Sequence, residues 1–157
     1  MTLKFEHLLN IPFQWGQDDC FGLVRKFFAD NFDIRITNYA RPTNWKAGDI
    51  DLPRMLFARE GFEMYPDWKK SDLRPGDVLL MAVGDTTANH FAVYVGDNTI
   101  IHHLYGRTSS QELLRDFWRN SVCYVLRHPD VPDLRPVLPD TDIRSLLRER
   151  YNLIPDS

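Results

Sequence analysis

"NHFAVYVGDNTIIHHL", Asn89 to Leu104, is the stretch whose reading decides the architecture. "HFAVYV" alternates between two faces, "GDN" carries turn residues, and "TIIHHL" resumes an apolar, β-branched run, so the stretch reads as an antiparallel hairpin. The alternation puts His90, Ala92 and Tyr94 on one face and Phe91, Val93 and Val95 on the other. If Gly96, Asp97 and Asn98 form a three-residue loop, Val95 pairs with Thr99 and Ala92 faces His102, making His90 the diagonal neighbour of His102. A two-residue loop slips the register by one and brings His103 onto that face instead. Spacing alone leaves both registers open.

Outward from the hairpin the same period continues. "RPGDVLLMAV" has a turn at Pro75-Gly76 and then an apolar strand, and "SVCYVLRH" is another strand. Between hairpin and last strand, "SSQELLRDFW" reads as a helix or turn with Ser109 or Ser110 as N-cap. Upstream, Phe32 to Ser71 is irregular, broken by Pro42, Pro53 and Pro66. It holds a predicted short helix around Leu52 to Glu60, and Tyr39, Trp45, Tyr65 and Trp68 are aromatic candidates for the wall of a groove. Before that lies "DCFGLVRKFF": Leu23, Val24, Phe27 and Phe28 follow Cys20 at helical spacing, which predicts a helix from Cys20 to about Asn31 with Asp19 as N-cap. A helix followed by a small antiparallel sheet places the chain in the α+β class.

Composition narrows the function. A chain of 157 residues that is 43% hydrophobic fits one globular domain with a real core. The net charge of −3, with no Lys/Arg cluster interleaved with aromatics, argues against nucleic acid as a partner. No apolar run nears the roughly 20 residues of a membrane span, which argues against membrane insertion. "MTLKFEHLLNIPFQWG" lacks the cationic start and apolar core of a secretory signal, so the expected compartment of synthesis is a host cytosol. The two cysteines, Cys20 and Cys123, are isolated rather than in a CxxC pair, so neither a zinc site nor any other metal or cofactor is expected.

The chemistry gathers around Cys20. At the positive end of a helix a thiol ionises easily, although a lone cysteine is more often a small buried hydrophobe. His90, His102 and His103 taken singly are ordinary sheet histidines. Together with a cysteine at a helix start they offer a nucleophile, a base to take its proton and a third group to orient the base.

At this point the chain resembles the NlpC-type papain-like cysteine peptidases, which cut peptidoglycan stem peptides. The resemblance rests on "FQWG", "DCFGLV", "RPGDVLLM", "HFAVYVG" and a second histidine twelve residues after the first, in that order, and runs from about Pro12 to His128. It implies a papain-like fold in which the helix carrying the cysteine packs on the sheet carrying the histidines. It further implies Cys20 as nucleophile, His90 as general base and His102 as the orienting residue, which favours the three-residue loop and leaves His103 spare. Phe13, Trp15 and Asp19 are the candidates for substrate and oxyanion contacts, with the Cys20 N–H as oxyanion donor. Where family members often carry Tyr this chain has Phe13, and Phe21 replaces the usual small residue after the nucleophile.

"DCFGLVRKFF" and "VLRHP" are most similar to the versions in tail tip assembly proteins of lambdoid siphophages. That implies a virion tail component, with peptidoglycan stem peptides and tail tip proteins as partners, aiding wall penetration or tip assembly. The alternatives are a structural tail-tip protein with a weak or silent site, and a related amidase or acyltransferase. The expected organisation is a peptidase domain over 1–128 and a proline-rich arm over 129–157. In that arm Asp140 or Thr141 caps a short amphipathic helix lined by Ile143, Leu146, Leu147 and Tyr151.

Overall fold

The computed structural model describes residues 1–48 and 50–136, so the helix expected around Ile143 to Tyr151, with its caps, lies outside the described residues. Helix α1 spans Cys20–Phe32, with Asp19 as N-cap: its side chain accepts from the Gly22 N–H at 2.8 Å. The helix ends where Asp33 turns left-handed, φ 53°. Phe21, Leu23, Val24, Phe27 and Phe28 are buried, each contributing about 1.5–3 kcal/mol of apolar transfer.

Downstream, β1 (Lys46–Ala47) and β2 (Ile50–Asp51) form a small ladder that leads into α2 (Leu52–Arg59), capped by Asp51 and begun by Pro53 in its first turn. The main sheet comprises β3 (Glu63–Tyr65), β4 (Val78–Met81), β5 (His90–Gly96), β6 (Thr99–His102), β7 (Ser110–Leu113) and β8 (Val122–Arg127). Its order is β3-β8-β4-β5-β6-β7, antiparallel at every pairing. A short helix α3 (Asp116–Ser121) joins β7 to β8.

The strands bury both faces. Val78, Leu80, Phe91, Val93, Ile101 and Leu126 meet α1 and α2. Phe21, Phe57 and Phe91 lock this layer edge to face, with centroids 5.3–6.2 Å apart. Leu79, Met81, Ala92, Tyr94, Ile100 and Leu114 form a smaller layer on the other face, partly covered by Trp118. The Pro-Gly-Asp turn before β4 owes its shape to Gly76 (φ 96°) and to the buried Asp77 carboxylate. That carboxylate accepts from the Arg74 N–H and from Nε and Nη2 of Arg127, each at 2.8 Å, tying β4 to the end of β8.

Three details differ from the sequence reading. The β5–β6 turn is a two-residue one, Asp97 and Asn98 both at positive φ, yet Ala92 still faces His102. A bulge between Tyr94 and Gly96 adds the residue that the shorter loop removes, so the register expected from a three-residue loop is reached by another route. "SSQELLRDFW" is not a capped helix over its length. Ser110–Leu113 is an edge strand, and Ser109 is buried, donating to the Leu8 carbonyl and accepting from the Ile11 N–H. Lastly, Glu63–Tyr65 is a third short strand of the 32–71 region, paired with β8.

Candidate active site

Cys20 and His90 are the first residues of α1 and β5, and both line one cavity of about 230 Å³. By strand alternation His90 shares the face of Ala92 and Tyr94, away from α1. Its place at the strand's beginning lets it reach the cavity at the helix start. Phe13, Trp15, Trp45 and Tyr105 supply aromatic walls. Of the four aromatics considered for a groove only Trp45 lies here. Tyr39 packs on Phe21, Tyr65 stacks under Arg127, and Trp68 belongs to the second core layer.

The segment carrying Phe13 and Trp15 is fastened to the cysteine helix. Gln14 and Asp18 exchange backbone hydrogen bonds at 2.8 Å, closing a tight loop over the first turn. A Cβ at Gly22 would stand 2.0 Å from the Gln17 carbonyl oxygen, so only glycine permits this approach. Asp19 completes the joint: its buried carboxylate accepts from the N–H groups of Gly16 and Gly22 and from Nε and Nη2 of Arg41. Burial alone would raise the Asp19 pKa, but these hydrogen bonds outweigh it and hold it below the usual value. Every oxygen of Asp19 is engaged, and a carboxylate donates nothing, so Asp19 organises the helix start rather than serving an oxyanion. The Cys20 N–H makes no hydrogen bond among the described residues.

The easy ionisation expected at Cys20 is not what this environment favours. Burial and the adjacent Asp19 carboxylate push the thiol up to about 12, against weaker opposing help from the N–H groups of Phe91 and Phe21 and from Arg41. Cys20 therefore rests as a thiol. It makes no hydrogen bond to His90 among the described residues, although the two share the cavity.

His90 Nε2 meets His102 Nδ1 at 2.9 Å, which leaves Nδ1 of His90 for the cavity. Burial, with the His102 and His103 rings nearby, pushes His90 down to about 3. His102 lies fully buried beneath it, under the Trp118 ring at a centroid distance of 4.6 Å. His102 Nε2 meets the Glu112 carboxylate. Burial lowers the His102 pKa, and Glu112 opposes that shift. His103, expected to be spare, makes no bond to His90 or His102 among the described residues but lines the same cavity, where Nε2 donates to the Arg107 carbonyl at 2.9 Å and the ring meets Phe13 edge on. Among the described residues no group of three or more His, Cys, Asp or Glu side chains is arranged to hold a metal ion.

Arg41, Tyr105, Glu112 and Trp118 were absent from the sequence reading of the site. Glu112 and Trp118 sit in "SSQELLRDFW". Read as a strand, Ser110–Leu113 would have put Glu112 on the same face as His102.

Comparison with known proteins identifies the family and the fold. The NlpC/P60 family pattern matches residues 10–127. Tail tip assembly protein K of Escherichia phage lambda is 30% identical over 122 residues, covering 78% of this chain and 59% of that protein. The murein DD-endopeptidase MepS/murein LD-carboxypeptidase of Escherichia coli K12 is 29% identical over 84 residues, 54% of this chain and 35% of that protein. The chain thus spans between about a third and three-fifths of the length of the curated relatives it matches. A solved NLP/P60-family protein similar to a lipoprotein, from Staphylococcus aureus, superposes with a TM-score of 0.51 at 17% identity, over 77% of this chain and 37% of its own, and so shares the fold. With the family pattern covering the helix, the sheet and the cavity between them, the chain belongs to the NlpC/P60 family.

Proposed function

We propose that this chain is a phage tail-associated cysteine endopeptidase that hydrolyses amide bonds of peptidoglycan stem peptides, with Cys20 as nucleophile, His90 as general base and His102 orienting it. The observation that carries this reading is that Cys20, at a helix N-terminus, and His90 line one cavity, with His90 hydrogen-bonded from behind to the buried His102. The murein endopeptidase and tail tip relatives support the substrate class and the setting.

The steps follow from the atoms available. His90 Nδ1 takes the Cys20 thiol proton as sulfur attacks the amide carbonyl carbon, and the Cys20 N–H donates to the developing oxyanion. The carbon–nitrogen bond then breaks, His90 returns that proton to the leaving amine, and a thioester remains. Water gives a proton to His90 Nδ1 as it attacks the thioester, and the proton returns to sulfur as the acid leaves. With the thiol pushed up and the imidazole pushed down, proton transfer accompanies attack instead of preceding it as a resting ion pair.

A second reading, a tail-tip component with a silent site, draws on that same unionised thiol. Purified peptidoglycan incubated with the full chain, followed by mass spectrometry of the soluble fragments, separates the two. Stem-peptide fragments should appear, fall by about 10³-fold or more in Cys20→Ala, and persist in Cys123→Ser. Undiminished release by Cys20→Ala would remove the nucleophile assignment, and no release by the wild type would favour the silent site.

A further inference from the structure

We infer that Glu112 is a positioning residue for this site, fixing through His102 which nitrogen of His90 carries the proton; the inference rests on the peptidase reading above only for its catalytic consequence. The path runs diagonally across three strands. Ala92 on β5 faces His102 on β6, so His90 is the diagonal neighbour of His102. Ser110 on β7 faces His102, so Glu112 is its diagonal neighbour on the other side. All three side chains therefore share one sheet face and form a continuous chain of hydrogen bonds.

The chemistry of each member dictates the next. An ionised carboxylate only accepts, so His102 must donate to Glu112 from Nε2. A neutral imidazole has one N–H, which leaves His102 Nδ1 as an acceptor, and His90 must donate to it from Nε2. His90 Nδ1 is then the bare lone pair, on the side of the ring left for the cavity that Cys20 lines. Without Glu112 nothing on β7 selects this order. His102 could carry its proton on Nδ1 and donate to His90 Nε2, which would put the His90 proton on Nδ1 and leave no base toward the thiol. Among the described residues the groups in contact with His102 are His90 from β5, Glu112 from β7 and Trp118 from α3, with His103 nearby, and Glu112 is the only carboxylate of these. Trp118 covers the His102 end of the relay, where excluding water strengthens the His90–His102 bond, while the Glu112 carboxylate stays partly exposed.

The test uses the full chain labelled with ¹⁵N-histidine, at mildly alkaline pH where the imidazoles are neutral. Long-range ¹H–¹⁵N correlation distinguishes protonated from bare ring nitrogens. Wild type should show both His90 and His102 protonated on Nε2 and bare on Nδ1. Glu112→Leu, or Glu112→Ala should the leucine variant not fold, should convert His102 and His90 to a mixture of tautomers. In parallel, kcat for stem-peptide release should fall about ten- to a hundredfold with KM within about twofold, less than the roughly 10⁴ lost when a directly orienting carboxylate is neutralised in a serine triad. Unchanged tautomers in the folded variant would overturn the inference. The tautomer measurement needs no turnover, so a wild type that proves inactive would count against the peptidase reading while leaving the role of Glu112 decided by the spectrum.

Discussion

Asp19 acts on Cys20 through two opposed effects. Its carboxylate caps α1 and, with Arg41, holds the turn on which the thiol stands, yet its negative charge is second only to burial in keeping that thiol protonated. Asp19→Asn separates the two, because an amide oxygen can still accept from the Gly22 N–H while the charge is gone and the amide NH2 replaces the acceptor of the Gly16 N–H and Arg41 Nε. The Cys20 pKa then falls. Alkylation of Cys20 by iodoacetamide at neutral pH, read by mass spectrometry of the folded protein, should accelerate about threefold for each unit of that fall, since a tenfold gain in thiolate is offset by its lower nucleophilicity. The same variant should lose about 3 kcal/mol of stability, as a buried guanidinium is left without its counter-charge. Slower alkylation would mean that Asp19 does not hold the thiol in its protonated form.

The elements show why some of the site was legible in the sequence and some was not. Helix α1 announces itself through a capping aspartate and an apolar stripe, and β5 through strict alternation, so Cys20 and His90 could be placed at element starts from pattern alone. The diagonal from His90 to His102 was likewise reachable, although the turn that produces it is shorter and the bulge that compensates leaves no pattern in "YVGDN". Strand β7 was hidden because "SQEL" has no β-branched or aromatic residue and lies at the sheet edge, where β6 is its one strand neighbour and the N-terminal segment bonds only to Ser109 just before it. Glu112 was lost with it. The thiol's upward shift was missed because a helix-end argument counts only the dipole, whereas burial and a neighbouring charge outweigh it here. Gly22 is where element packing meets the site most directly. Gly22→Ala should destabilise the fold by about 2 kcal/mol or more and depress stem-peptide release, because the added Cβ must displace the Gln17 carbonyl and with it the segment bearing Phe13 and Trp15. A thermal melt and a fragment assay at matched concentration check this, and wild-type values in both would show that the loop yields freely.

Across the full chain the question is where the NlpC/P60 domain stops. A boundary at His128 suits the proline spacing, but the residues just beyond it lie on the domain. Val131 packs against the helix-side core and stands close to Phe32 and Gly76, and Asp133 lies 3.6 Å from Arg74. The proline-rich segment up to Pro136 therefore closes the Pro-Gly-Asp turn from outside. Truncation after Pro136 should leave the melting temperature and stem-peptide release at the full-chain values. Truncation after His128 should lower the melting temperature by about 2–4 °C for each kcal/mol of lost packing. If residues 137–157 hold the amphipathic anchor that their sequence suggests, the chain cut after Pro136 should also fail to recover tail proteins from infected cells that the full chain recovers. Equal recovery with and without 137–157 would end the anchor reading, and unfolding on cutting after Pro136 would move the domain boundary into that segment.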